Sequence, residues 1–387
     1  MIRLVTLSIL QFTLLLSCQA LQSQRIGGPF ENSELMYFGM PNEIASSDTT
    51  LGWFSEGQKL IVTGTILKPD GITPAPNVTL YYYHTDTEGY YSNHSSLDQR
   101  AAKHGYLRGW VKSDEQGRYA IHTVRPAAYP SGSEPAHIHP SILEPGAEYP
   151  YYLDAFIFDD TLILTDEMRD GMENRGGSGI LRILASDDVQ IAEHNIILGL
   201  NIPNYPKAKA KQVASGRNVG EDVFSFTPYH AWGPDRGTNT CPICKYGRYQ
   251  GILYFVGNNP NWDDIRAWLV FLEREQLQRK QYLKAYFIMP TQAAVPKRIH
   301  QKLEEIGKAM NLRQVALTTV PSFSDQDSEI YLNEIDPAFG NTIIIYKQRN
   351  IVSKFINLKP SDLAFKNVSA ALDRTKGQFF HLTGPKH

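Results

Sequence analysis

From about Leu51 to Ile202, apolar and polar residues fall into short strand-like runs separated by Gly, Pro, Asp or Asn. These runs occupy Lys59 to Ile66, Val78 to His84, Tyr106 to Lys112, Tyr119 to Val124, Tyr151 to Phe158, Ser178 to Ala185 and Gln190 to Leu198. With turn signals such as Pro69-Asp70-Gly71 between them, the segment 27–206 predicts an all-β domain, for which a sandwich is the natural closure. A small and polar stretch, opening with Lys207-Ala208-Lys209-Ala210-Lys211, predicts an exposed linker over 207–220. The rhythm then changes. A strand at Gly251 to Val256, a helix from Trp262 to Arg279, a strand at Lys284 to Ile288, a helix from Pro296 to Met310 and a strand at Gln314 to Thr318 alternate. A hairpin follows, Thr342 to Tyr346 and Ile351 to Asn357, turning at Gln348-Arg349-Asn350, and a helix near Pro360 to Asp373 closes the chain. The segment 221–387 therefore reads as an α/β domain. Ile265, Leu269 and Leu272 give its first helix a face to bury on a sheet.

Length agrees with two domains: 387 residues, 42% of them hydrophobic, can form two separate cores. A formal net charge of −2 leaves no electrostatic footprint for nucleic acid or for an anionic membrane surface. At the start, Arg3 precedes an apolar run from Leu4 to Leu16 that is too short to span a bilayer, so residues 1–20 read as an export signal. Leu15-Leu16-Ser17-Cys18 resembles a bacterial lipobox, which would anchor the protein to the envelope by a lipid on Cys18; cleavage after Ala20 would leave it periplasmic or secreted. Either way the protein is expected to be exported. Cys241 and Cys244 are then the remaining cysteines, and one pair is no framework for a small stapled fold.

Candidate chemistry begins at Pro135-Ala136-His137-Ile138-His139, where alternate residues of an extended segment send both imidazoles to one side. That spacing suits two ligands of one metal without naming the metal. Upstream stand Asp86-Thr87-Glu88-Gly89-Tyr90-Tyr91-Ser92, then Leu107-Arg108-Gly109, then Thr123-Val124-Arg125-Pro126-Ala127-Ala128-Tyr129-Pro130. This ordered set, with the closing Ile197-Leu198-Gly199-Leu200-Asn201-Ile202-Pro203-Asn204-Tyr205-Pro206, resembles the intradiol ring-cleavage dioxygenases, including the protocatechuate and catechol enzymes. The resemblance implies a mononuclear Fe(3+) held by Tyr91, Tyr129, His137 and His139. It also implies a catechol-type substrate that chelates the iron and reacts with O2, Tyr129 being the ligand that leaves and can accept a substrate proton. Physically, two phenolates and a hydroxide would neutralise a hard trication, and neutral imidazoles would complete the site. Tyr90 is expected to face away from that site and to be structural. The family pattern has an arginine three residues before its first histidine, and Glu134 stands there instead. A carboxylate at that place would repel a catecholate. Arg100, Arg108 and Arg125 are the candidate substitutes. An iron-containing binding module with little turnover is therefore the alternative function, and assembly into a homo-oligomer is also open.

From Gly251 onward the order of elements resembles a thioredoxin-like fold, and Cys241-Pro242-Ile243-Cys244 invites a thiol redox role. The pair precedes the first central strand, however, and Asn258-Asn259-Pro260-Asn261 occupies the place after it. A structural disulfide is the expected role. A zinc site would need further ligands, of which His230 is the obvious candidate.

Overall fold

The computed structural model describes residues 25–384, apart from 133, 162–163, 166–167, 170, 207–214, 292–295 and 378. The expected export signal and Cys18 lie outside the described residues, as do 207–214 of the expected linker. Two compact units are present, one running up to Lys209 and taking in the tail from Leu382, the other spanning Ala210–His381. Among the described residues no helix is long and apolar enough to cross a membrane.

The first unit is built from β1 (Ser47–Thr49), β2 (Lys59–Leu67), β3 (Thr79–His84), β4 (Arg108–Lys112), β5 (Arg118–Val124) and β6 (His137–Leu143). It continues with β7 (Tyr151–Tyr152), β8 (Phe156–Phe158), β9 (Ile180–Leu181), β10 (Ile183–Ser186), β11 (Val189–Glu193) and β12 (Ile196–Ile197). One sheet runs β1-β5-β2-β11-β10 with β12 also on β2, the other β4-β3-β6-β8-β9 with β7 on β6. They share one apolar cluster: Leu60, Val62 and Ile121 from the first meet Leu80, Tyr82, Val111, Ile138 and Phe156 from the second.

Two of the expected strands are divided. The run Tyr151 to Phe158 is broken after Tyr152, where Leu153 N–H turns to the Pro140 carbonyl and Asp154 N–H to that of Arg175. The run Ser178 to Ala185 crosses between sheets, β9 pairing in one and β10 in the other, with Arg182 at the joint. Its unbroken apolar sequence carries no mark of that crossing.

The second unit has one sheet of six strands, β13 (Tyr229–Trp232), β14 (Gln250–Val256), β15 (Leu283–Pro290), β16 (Ala316–Val320), β17 (Asn341–Lys347) and β18 (Asn350–Ile356), in the order β13-β16-β15-β14-β17-β18. Its helices are α1 (Pro242–Tyr246), α2 (Trp262–Arg279), α3 (Pro296–Ala309) and α4 (Asp362–Thr375). The pairs β14–β15 and β15–β16 are parallel, while β17 lies antiparallel to β14. The long helices α2, α3 and α4 all add side chains to one cluster, among them Trp268, Leu303 and Val368. The opposite cluster takes Ile243 of α1 and loop residues such as Phe226 and Phe323. Asn261 starts α2 by accepting the Asp263 and Asp264 N–H groups at 3.1 and 3.2 Å.

Two expected boundaries need correction. Of the linker, Ser215 is fully buried, accepting the Asp336 N–H at 3.0 Å, while Gly216 and Gly220 donate to the Glu334 and Ile351 carbonyls. Small polar residues can therefore also be packed strand-edge structure when the neighbouring backbone supplies their hydrogen bonds. At the far end, the segment from Leu382 groups with the first unit, where Ala185 donates to the Thr383 carbonyl at 2.7 Å.

Candidate metal centre

Strand β6 pairs antiparallel with β3 so that His139 lies opposite Tyr83 and Ile138 opposite His84. Ile138 is in the sandwich core, so the two-residue period of a strand turns His137 and His139 to the outer face of the sheet, with Tyr81 and Tyr83. The two tyrosines of the motif come from loops. Tyr91 follows β3, Tyr129 follows β5, and both sit between strands rather than on them.

These loops are held together closely. Asp86 receives the N–H groups of Glu88 and Tyr90 on one carboxylate oxygen and the Ser92 hydroxyl on the other. The Ala127 N–H donates to the Asp86 carbonyl at 3.0 Å, and the Thr85 hydroxyl to the Ala127 carbonyl at 2.7 Å. Gly89 explains the first position of the Gly-x-Tyr motif: its φ is +89°, and a Cβ there would lie 2.1 Å from the Ala128 carbonyl oxygen. Only glycine lets the Tyr91 loop approach the Tyr129 loop so nearly.

Four polar atoms converge as a result. Tyr91 Oη lies 2.7 Å from Tyr129 Oη, Tyr129 Oη 3.3 Å from His137 Nε2, His137 Nε2 2.9 Å from His139 Nε2, and His139 Nε2 3.1 Å from Tyr91 Oη. Ligands about 2.0–2.1 Å from one ion, at angles of 90–110°, are separated by about 2.8–3.4 Å; three of these edges fall in that range and the Tyr91–Tyr129 edge lies just below it. His137 Nδ1 lies 2.7 Å from the Pro135 carbonyl, which places its proton there and leaves the Nε2 lone pair facing the cluster. The donor set thus fits a hard cation: two oxygens able to become phenolates and two neutral imidazoles. Among the described residues no group of three or more His, Cys, Asp or Glu could hold a metal, so tyrosine is indispensable to this centre.

Burial is the main cause that raises the Tyr91 and Tyr129 phenols, and Glu134 raises both further. Burial, reinforced by His137, pushes His139 down to about 3. Behind His139 the Tyr83 ring stacks at 4.7 Å, and His104 stacks on the far side of Tyr83 at 3.7 Å. His104 Nδ1 is in turn 2.8 Å from Tyr81 Oη. Sequence reading missed this support. The alternation in Thr79-Leu80-Tyr81-Tyr82-Tyr83-His84 could have shown that Tyr81 and Tyr83 share a face, but not that β6 lies alongside.

Tyr90, expected to be structural, is 54% exposed rather than packed in a core. Glu134 is exposed. Each candidate arginine is engaged elsewhere: Arg100 with Asp98 at 2.7 Å, Arg125 with Asp160 at 2.7 and 2.5 Å, and Arg108 with the Leu35 carbonyl at 2.7 Å while lying over the Tyr81 and Trp110 rings.

A β-rich unit bearing a two-tyrosine, two-histidine cluster defines the class of site, and comparison with known proteins gives the family. Residues 41–168, which contain all four cluster residues, match the family model described as Dioxygenase. Over this segment the N-terminal unit is similar to the intradiol dioxygenases. Catechol 1,2-dioxygenase of Acinetobacter baylyi is 31% identical over 117 residues, covering 26% of this chain and 37% of that protein. Catechol 1,2-dioxygenase 1 of Acinetobacter lwoffii is 26% identical over 163 residues, covering 36% of this chain and 50% of that protein. The chain therefore spans half or less of these relatives. Among solved structures, catechol 1,2-dioxygenase from an Acinetobacter species, inhibited by bound mercury, is 20% identical with a TM-score of 0.32, covering 52% of this chain and 73% of that one.

Proposed function

We propose that the N-terminal unit holds one ferric ion through Tyr91, Tyr129, His137 and His139 and cleaves a catechol-type aromatic between its two hydroxylated carbons, incorporating O2. The observation that carries this reading is the convergence of the four donor atoms within 2.7 to 3.3 Å around the cluster. When bound, the ion would supply the Lewis acidity that activates the substrate toward oxygen. The chain's own part is to hold charge and orientation. Tyr91 and Tyr129 would supply phenolates to the ion, and Tyr129 would be the group to take a substrate proton on Oη. His137 is fixed in one tautomer by the Pro135 carbonyl. The Tyr83 ring restrains His139 and keeps water from its far side. With Glu134 at the cluster and the nearby arginines paired, uncharged catechols are favoured over carboxylated ones.

Protein expressed with iron should show the visible charge-transfer band of a tyrosinate bound to ferric ion. That band should vanish in Tyr129→Phe and in His137→Ala, and the parent should consume O2 with catechol. A colourless, iron-free parent would overturn the assignment. Glu134 favours a second reading, an iron-containing binding module with little turnover; a persistent band without O2 uptake across a panel of catechols would establish it instead.

For the C-terminal unit, we infer a thioredoxin-like arrangement, supported by the helical crossover from β14 to its parallel neighbour β15 and by β17 lying antiparallel beside β14 with β18 antiparallel on its far edge. Export and lipid anchoring through Cys18 are likewise proposed from the leading segment. Incorporation of labelled fatty acid that is lost in Cys18→Ser tests the anchor.

A further inference from the structure

Cys241 and Cys244 are disulfide-bonded, with a sequence separation of 3. As a staple this bond has little to do. It closes a single turn of α1 that the backbone already closes, the Lys245 N–H donating to the Cys241 carbonyl at 3.2 Å and the Gly247 N–H to that of Ile243 at 2.8 Å. The helix is moored to the sheet by Ile243, which is fully buried in the second apolar cluster. So short a loop is also the case in which a cross-link restricts the unfolded chain least.

The two sulfurs differ in setting. Cys244 is exposed, whereas Cys241 is half-buried, packs on the apolar cluster and accepts the Cys244 backbone N–H at 3.0 Å. The carbonyl just before it, that of Thr240, is held by His230 Nε2 at 2.8 Å, and His230 is fully buried. One sulfur is thus open to attack, and the other is held in place by a donor suited to a thiolate.

We propose that Cys241–Cys244 is a thiol–disulfide exchange site, independent of the metal centre, in which an external thiolate attacks the exposed Cys244 sulfur and Cys241 leaves. The incoming sulfur forms a bond to Cys244 Sγ, the Cys241–Cys244 bond breaks, and its electron pair goes to Cys241 Sγ as a thiolate held by the Cys244 N–H. The second thiol of the same small dithiol then attacks the mixed disulfide and frees Cys244. Two electrons and two protons have passed from the dithiol, now oxidised, to the cysteine pair. Run in reverse, the reduced pair delivers them to a small disulfide such as glutathione disulfide.

The test uses the full chain with Cys18→Ser, which leaves only this pair. Dithiothreitol should reduce the folded protein within minutes without changing its melting, and the reduced pair should be reoxidised by glutathione disulfide. In Cys241→Ser, Cys244 should attack glutathione disulfide, releasing one glutathione and trapping a stable mixed disulfide, at least about tenfold faster than Cys241 does in Cys244→Ser. Three results would each overturn the proposal: a bond that resists dithiothreitol until the chain unfolds, reduction that lowers the melting temperature of the C-terminal unit, or capture by Cys241 faster than by Cys244. The first two are read on the unsubstituted pair, so they hold even if a serine variant fails to fold.

Discussion

In the C-terminal unit, alternate residues of one strand enter two different apolar clusters: Ile252, Tyr254 and Val256 of β14 pack on one face of the sheet, Leu253 and Phe255 on the other. In the N-terminal unit, β3 and β6 send Leu80, Tyr82 and Ile138 into the core, while Tyr81, Tyr83, His137 and His139 stand on the opposite face. A sheet covered by hydrophobic packing on both faces leaves little room for donors, and the disulfide pair of this unit, Cys241 and Cys244, lies off the sheet on α1. A sheet with an apolar cluster on one face only, its other face buried under loops and polar aromatic side chains, can present donors at fixed two-residue spacing, and the loops bring the remaining ligands down onto it.

The largest expected effect tests the doubly covered sheet. Trp268 is fully buried between the Phe271 and Phe365 rings and the strand residue Tyr254. Trp268→Ala should cost about 3–5 kcal/mol. Hydrogen exchange should then speed up across β14 and β17 and stay unchanged on β3 and β6. Equal loss of protection on β6 would show that the two sheets are not energetically separate.

Next comes the cost of burying imidazoles beside the singly covered sheet. His84 is fully buried with Nε2 2.9 Å from the Thr123 hydroxyl, and burial, with a smaller push from His137, holds it down to about 4 against the opposing Thr85 carbonyl and Asp86. The folded state therefore keeps His84 neutral, while the unfolded chain takes up a proton near pH 6.5. Stability from this group is complete above pH 6.5 and is lost as the pH falls toward 4, by about 3 kcal/mol in all. His104, also held down to about 4, adds to the loss in the same window. Urea unfolding of the N-terminal unit at successive pH values reads this directly; a flat profile between pH 6.5 and 4 would refute it.

The same contrast decides what could be read from the chain alone. Helix α2 was legible to its end residues, because the Ile265, Leu269, Leu272 spacing is a local signal. So was the hairpin, whose Gln348 and Arg349 both take positive φ between paired Lys347 and Asn350. His137 and His139 were legible because they share a strand, and Tyr91 and Tyr129 through the ordered motifs. The pairing of Tyr83 with His139, the stacking of His104 and the commitment of Arg125 to Asp160 were not, since each depends on contacts between segments distant in sequence. The crossing of β9 and β10 between sheets was hidden for the same reason.

A smaller effect is expected where the loops meet the open face. Gly89→Ala forces a side chain into the Ala128 carbonyl at positive φ, so stability should fall by about 1–3 kcal/mol. More telling is its specificity: the Tyr91 loop should be pushed off the Tyr129 loop and the charge-transfer band weakened, with the β14 sheet untouched. An unchanged band would mean that Tyr91 does not depend on this close approach.

The smallest effect separates electrostatics from packing at the same face. Glu134 raises both cluster phenols although its side chain is exposed, so it acts through solvent-screened charge alone. Glu134→Gln removes the charge and keeps the shape, and both phenolates should then form more readily. Binding a trication while two phenols lose their protons still raises the charge of the site, so removing this carboxylate should lower iron affinity by about two- to fivefold at low salt, the scale of an exposed charge interaction, and the loss should shrink as ionic strength approaches 1 M. A loss that salt does not touch would mean that Glu134 acts by contact, and a gain of affinity would mean that its push on the phenols outweighs its attraction for the ion.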